Sequence, residues 1–348
     1  MGSVARVLVV DDSASFRKLL VQLLSADPRI EVVGEAADGV EATLAARELR
    51  PDVITMDVNM PRMDGLEAVR EIMSTDPTRI LVLASVENRS AVDLTFQAVG
   101  EGALELLAKP NVSNMSELAA WGRTAIDSVL LMAEIPVIRR RRTSVPRHVP
   151  PAGSKVRAIG LAASAGGPVA LAKVLGRLEG VDVPVLIAQH IALGFSKGLV
   201  RFLGDSSALP VTFAEHGQRP RAGTIYLPPD GCHLEVDSAG ALVVDAGDDL
   251  LVPSADRLLG SMADHYGAAM IGVVFTGMGD DGAEGLLKVR RAGGVTAIQD
   301  QATAMVFGMP GAALKLGAVE LELALDAIAP FLRARCSPHR SSFQGVGQ

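Results

Sequence analysis

The chain has 348 residues, 49% of them apolar and 3% aromatic, with a net charge of -7 at pH 7. That length accommodates two domains of ordinary size, and the acidic balance argues against binding nucleic acid along the whole surface. Cys232 and Cys336 stand far apart and in no metal-ligand spacing, so a disulfide framework is not expected and a reducing cytoplasm is. The opening MGSVARVLVVDDS lacks a signal-peptide pattern, and no apolar run is long enough to span a bilayer. In chain order, RVLVV predicts a strand at 6–10, followed by a helix over about 15–24. Four more strand–helix pairs follow: EVVGEAA and GVEATLAARELR, PDVITMDV and GLEAVREIMS, RILVLAS and SAVDLTFQAVGEG, then LELLAKP and a helix from about 116. Such alternation means a parallel sheet with helices on both faces.

Between about 137 and 155 the pattern lapses. IRRRRTSVPRHVPPAGSK has a run of arginines, several prolines and no apolar periodicity, and reads as a solvated linker. The arginines at 139–142 also admit a rival reading, a DNA-binding regulator, which salt-sensitive DNA binding would support. From 156 the α/β alternation restarts. Strands are predicted at 156–162, 183–189, 211–214, 270–275 and 295–298, and helices at 167–178, 255–266, 282–292 and 322–334. GTIYLPPDGCHLEVDSAGALVVD alternates between turn signals and predicts an antiparallel hairpin leaving a mostly parallel sheet. The tail after 335 is polar.

Asp11 and Asp12 follow the first strand, and Asp57 ends the third, in ITMDVNMPRMDG. In a parallel sheet these carboxyl ends meet at one edge, where ligands bind. Three carboxylates there repel unless a cation joins them, and an oxygen-only donor set suits Mg²⁺. Lys109, after the fifth strand, supplies a second positive charge for the same anion. Through LVVDDS, DVNMPRMDG and AKP, residues 5 to about 122 resemble the receiver domains of two-component response regulators. The resemblance implies a flavodoxin-like (βα)5 fold in which Asp57 accepts phosphate from a histidine kinase. It implies Mg²⁺ held by Asp11, Asp12, Asp57 and the backbone carbonyl of Asn59, with Lys109 on the phosphate. Receivers also carry a Ser or Thr after strand four. In LASVEN either Ala84 or Ser85 stands at that position; Ser85 is the hydroxyl available for phosphate contact, and Ala84 there would mean weaker coupling.

The output half is α/β, without a short recognition-helix unit. In VRAIGLAASAGGPVA a strand runs into Ser164, then Gly-Gly-Pro and an apolar helix. Ser164 can cap that helix or act as a nucleophile on a strand–turn–helix elbow. A nucleophile needs a base and an orienting acid. His148 and His339 lie in linker and tail, and His216, His233 and His265 in turn, strand and helix contexts. His190 ends the next predicted strand, at the same sheet edge as Ser164. The Gly-rich loop of IGVVFTGMGDDGAEGLLKVRRAG supplies Asp280 or Asp281 at a third strand end, with backbone N–H groups suited to an oxyanion hole. Read locally, the same two acids are a helix N-cap pair. The chain order Ser, His, Asp departs from that of α/β-hydrolases.

Through IGLAASAGGP, IAQHIALGFSKGL, FTGMGDDGAEGL and QDQATAMVFGMPGAAL, the second half resembles the catalytic domain of chemotaxis protein-glutamate methylesterases, response regulators joined to an esterase. The resemblance assigns nucleophile, base and acid to Ser164, His190 and Asp281, and an oxyanion-hole N–H to Met278. It implies hydrolysis of glutamyl methyl esters on the cytoplasmic helices of a chemoreceptor, deamidation of glutamines, and no cofactor in the catalytic domain. Ala162 and Ala165 replace the Gly and Thr usual beside the nucleophile, a methyl at 162 being expected to tighten the turn. They leave open a non-catalytic binding output with a degenerate site. A metal-dependent hydrolase using His190, Asp280 and Asp281 is a further rival.

The expected architecture is therefore a receiver at 1–122, a helix end and linker at 123–154, a doubly wound catalytic domain at 155–335 and a polar tail at 336–348. Phosphorylation of Asp57 is expected to control the output, in a protein that is neither membrane-embedded nor bound to nucleic acid.

Overall fold

A computed structural model describes residues 4–85, 89–103, 105–110, 115–134, 156–247 and 251–336. The chain divides into two compact units, one of residues 1–143 with 164–169 and 190–202, the other of residues 144–163, 170–189 and 203–348. The arginines at 139–142, His148 and the tail from 337 with His339 lie outside the described residues, as does most of the linker expected at 123–154.

The first unit alternates strand and helix as expected: β1 Ala5–Val10, α1 Ala14–Ser25, β2 Ile30–Ala36, α2 Gly39–Leu49, β3 Val53–Asp57, α3 Gly65–Thr75, β4 Arg79–Ala84, α4 Arg89–Glu101, β5 Glu105–Ala108 and α5 Met115–Glu134. The strands pair in parallel in the order β2-β1-β3-β4-β5, a (βα)5 flavodoxin-like sheet. The central strands are apolar runs because both faces are covered. Val7 and Val9 of β1, for example, pack with Leu20 and Leu24 of α1 and Val129 and Met132 of α5. Ser13, Asp38 and Asp64 cap α1, α2 and α3, each side chain accepting from first-turn N–H groups.

From residue 158 the chain runs through β6 Ala158–Ala163, α6 Gly167–Leu175, β7 Val185–Gln189, α7 Ser196–Ser206, β8 Val211–Phe213, β9 Ile225–Leu227, β10 Cys232–Val236 and β11 Leu242–Ala246. It continues with α8 Ala255–Tyr266, β12 Met270–Val274, α9 Ala283–Arg291, β13 Val295–Gln299, α10 Gly308–Lys315, β14 Leu321–Leu323 and α11 Leu325–Cys336. Seven strands form a parallel sheet in the order β14-β13-β12-β6-β7-β9-β8, and β10 and β11 form a separate antiparallel hairpin. Buried Leu258, Leu259 and Met262 of α8 and Leu286 and Val289 of α9 share one core with Ala162 and Val274 of the sheet.

Four local readings are corrected. Ile225–Leu227 does not belong to the hairpin; β9 pairs in parallel with β7 and β8, because its fully buried residues fill the main sheet. The stretch 322–334 is not helical from its start, since Leu321–Leu323 adds β14 beside β13. α7 and α10 each contain two glycines, which mask the helical signal, and their apolar faces are stabilised by burial of Leu199, Leu203, Met309 and Ala313. Cys336 ends α11, buried, instead of opening the tail, and burial pushes its thiol up to about 12. Among the described residues no helix is long and apolar enough to cross a membrane.

Candidate active site and phosphoacceptor pocket

β1 and β3 are neighbours, so Asp11 and Asp12 after one and Asp57 at the end of the other meet at the sheet's carboxyl edge. One oxygen from each acid lies within 4.8 Å of the other two. Asp11 and Asp57 are buried and Asp12 is exposed. Lys109 follows β5, and its Nζ lies 2.7 Å from Asp11 Oδ2 and 3.0 Å from Asp57 Oδ2. Asp57 Oδ1 accepts the Val58 N–H at 2.8 Å. Burial, reinforced by the Asp11 charge and opposed by Lys109, pushes Asp57 up to about 6. Burial works against the Lys109 charge, but Asp57 and Asp11 outweigh it and hold the ammonium above its ordinary value. One lysine therefore faces two buried carboxylates, with a third at the rim. This surplus of anionic oxygen fits a hard divalent cation such as Mg²⁺. The exposed Asn59 follows two residues after Asp57. Ala84 is the buried last residue of β4, its carbonyl accepting the Lys109 N–H at 2.9 Å, and Ser85 follows it, half-buried.

In the second unit β12, β6 and β7 are consecutive strands at the centre of the sheet. Val274 is in register with Ala162, and Ala163 with Gln189. Ser164 directly follows β6, His190 directly follows β7, and the loop to Asp281 leaves β12. All three sequence candidates thus stand at the carboxyl ends of adjoining parallel strands. Ser164 opens a turn in which its carbonyl accepts the Gly167 N–H at 2.8 Å, and Gly166 takes φ 74°. Asp280 and Asp281 separate clearly: the first is exposed, the second buried. Neither side chain caps α9. That cap is Gly282, at φ 93°, and the Asp281 carboxylate instead accepts the backbone N–H groups of Ala255 and Asp256, at the start of α8. Ala162 lies inside β6, in the apolar core, so its methyl is a packing group of the strand and not part of the turn. His216 and His265 bond to the carbonyls of Val244 and Ser238, and His233 accepts the Ser254 N–H; none of the three stands at these strand ends.

Residues 7–120 match the response regulator receiver domain, and residues 159–332 match the CheB methylesterase. The protein-glutamate methylesterase/protein-glutamine glutaminase 3 of Myxococcus xanthus is 49% identical over 333 residues, covering 95% of this chain and 94% of its own. The protein of that name from Anaeromyxobacter dehalogenans is 42% identical, covering 93% and 97%. This chain belongs to the receiver-linked CheB methylesterase family. The solved methylesterase catalytic domain of Thermotoga maritima CheB is also similar, at 31% identity and TM-score 0.50, covering 51% of this chain and 98% of that domain.

Within this methylesterase domain several positioning groups are invisible to local sequence reading. The loop carrying Met278 is held by a segment about thirty residues downstream. Gly277 N–H donates to Val306 O at 3.0 Å, and the Gly308 and Met309 N–H groups donate to Gly277 O at 3.1 and 2.9 Å. The buried Gln299 accepts the Thr276 N–H through Oε1 at 3.0 Å and donates to Thr303 O at 2.7 Å. A Cβ on Gly308 would lie 2.7 Å from Gly277 O, so only glycine lets α10 approach this loop. The matching stretch QDQATAMVFGMPGAAL contains these partners, which is the one signal in the sequence for them.

Proposed function

We infer that this chain is a phosphorylation-regulated hydrolase that removes methyl groups from glutamate methyl esters on the cytoplasmic helices of a chemoreceptor and deamidates glutamines there. The observation that carries this reading is family membership over nearly the whole chain, together with the strand-end residues its reaction needs. The chemistry is acyl transfer. Ser164 Oγ attacks the ester carbonyl as His190 takes its proton, and Asp281 orients the imidazole and balances its charge. The oxyanion is received by the Met278 N–H, on the clamped loop. His190 returns the proton to the departing methoxide, releasing methanol, and water then attacks the acyl-enzyme to give glutamate. A glutamine side chain follows the same course with ammonia leaving.

In the receiver, a histidine kinase is the phosphodonor and Asp57 Oδ the acceptor. Asp11, Asp12, Asp57 and the Asn59 carbonyl would hold Mg²⁺, which would supply positive charge against the phosphoryl oxygens. Lys109 contacts the acyl phosphate, and Ser85 is the hydroxyl within the same strand-end set. Adaptation in a chemotaxis-type system of the cytoplasm, without nucleic acid or membrane insertion, is the setting these parts support.

The decisive experiment measures methanol release from methylated receptor by wild type and Ser164→Ala. A loss of about 10⁶ in turnover is expected. Unchanged release would overturn the esterase mechanism and favour a non-catalytic binding output.

A further inference from the structure

The triad acid assigned above sits in an unusual cradle. Asp281 Oδ1 accepts the Ser254 hydroxyl at 3.1 Å and the Asp256 N–H at 2.9 Å, while Oδ2 accepts the Ala255 N–H at 2.6 Å. The donors are the N-cap and the first two residues of α8. The favour is returned at α9, whose own N-cap, Gly282, offers no side chain. Asp256 Oδ1 accepts the Gly282 N–H at 2.9 Å and the Gly285 N–H at 2.6 Å. Two helix N-termini therefore exchange aspartates, each helix capped by the acid of the other.

Ser254 joins the exchange from both sides. Its Oγ accepts the Arg257 N–H at 3.2 Å, capping α8, while donating to Asp281. Its own N–H donates to Nδ1 of the fully buried His233 at 3.0 Å.

We propose that Ser254 and Asp256 are positioning residues for hydrolysis, locking the Asp281 carboxylate between the N-termini of α8 and α9 so that it holds one orientation toward the base. This rests on the reading of Asp281 as the triad acid. Three donors on one carboxylate suit an acceptor-only, ionised group. Burial, and then the adjacent Asp281 charge, push Asp256 up to about 6 against the pull of the Gly285 N–H. A carboxylate free to rotate would lose that alignment, and misplacement of about 1 Å can cost on the order of 100-fold in rate.

The test uses the full chain and methanol release from methylated receptor, with Ser254→Ala, Ser254→Thr, Asp256→Asn and Asp281→Asn and the thermal midpoint of each. Ser254→Ala and Asp256→Asn are expected to lower kcat about 10- to 100-fold with KM unchanged, and Ser254→Thr to retain most of the rate. Added to Asp281→Asn, Ser254→Ala should cause no further loss, because both act through one carboxylate. Wild-type kcat in a folded Ser254→Ala protein, or losses that multiply with that of Asp281→Asn, would overturn the proposal while leaving the triad intact. A wild-type rate in Asp281→Asn would overturn the triad reading itself. If Asp256→Asn fails to fold, Ser254→Ala, which removes a single hydroxyl, decides.

Discussion

Glu105 opens β5 with a carboxyl oxygen, Oε2, that is buried and accepts no hydrogen bond among the described residues. Burial pushes this group from 4.5 to about 7. Between those values the folded receiver binds a proton that the unfolded chain does not. Its contribution is fully present below the lower value and is lost as pH rises through the upper one. The loss amounts to a few kcal/mol at most, on the order of 1–3. Glu105→Gln should shrink this decline: from about pH 5 to pH 8 the urea midpoint of the receiver transition should fall less in the variant than in wild type, the remainder coming from Asp57, whose raised value of about 6 acts in the same direction. Parallel curves would contradict the assignment. Gly308 makes a second prediction at the same scale. In Gly308→Ala the added methyl meets Gly277 O at 2.7 Å and Gly279 N at 3.1 Å, both backbone atoms with little room to yield. A destabilisation of about 1–3 kcal/mol is expected, with a fall in kcat as the Met278 loop shifts. An unchanged thermal midpoint and unchanged methanol release would refute the clamp.

At the scale of elements, the seam between α1 and α5 links the phosphoacceptor pocket to the chain's single tryptophan, Trp121. The indole Nε1–H donates to Ala108 O at 2.6 Å, one residue before Lys109. Phe16 lies 5.8 Å from the Trp121 ring, and Lys109 Nζ stands 4.9 Å over the Phe16 ring. On the proposed reading, a phosphoryl group on Asp57 would draw Lys109 toward its oxygens through charge-assisted hydrogen bonds, moving the cation that Phe16 carries. Trp121 emission should therefore change when Mg²⁺ and a small acyl phosphate are added. Asp57→Asn should show no change, and a silent wild-type spectrum would argue against the coupling.

For the whole molecule, the two sheets each carry one reactive edge. Methanol release by the full chain should rise with Mg²⁺ and phosphodonor. Chelation should abolish that rise yet leave the basal rate intact, since the acids at 11, 12 and 57 belong to the receiver. Loss of the basal rate in chelator would instead favour a metal-dependent hydrolase. Moving a two-state equilibrium from about 1:99 to 99:1 requires roughly 5.5 kcal/mol of differential stabilisation by the phosphate, so Asp57→Asn should hold the enzyme at its basal rate.

Much of this protein is legible in one dimension because its signals are local. Alternating strand and helix periods announce two parallel sheets, and acids, serine and histidine placed just past strand ends announce two reactive edges. Within each sheet, strand order brings neighbouring strand ends side by side, which is why Asp11 could be placed beside Asp57, and Ser164 and His190 on adjoining strand ends, from the sequence. What could not be read depends on partners far along the chain. Locally, Asp280 and Asp281 are equivalent candidates for capping α9; only folding buries one against α8, 25 residues upstream, and leaves the other in solvent. The short β9 resembles half of a hairpin until the parallel sheet offers it two neighbours. Ala162 looks like a change in the turn until its register with Val274 and Ala188 places the methyl in the core. Periodicity records which face of an element is buried, whereas the identity of the neighbour is a property of packing alone.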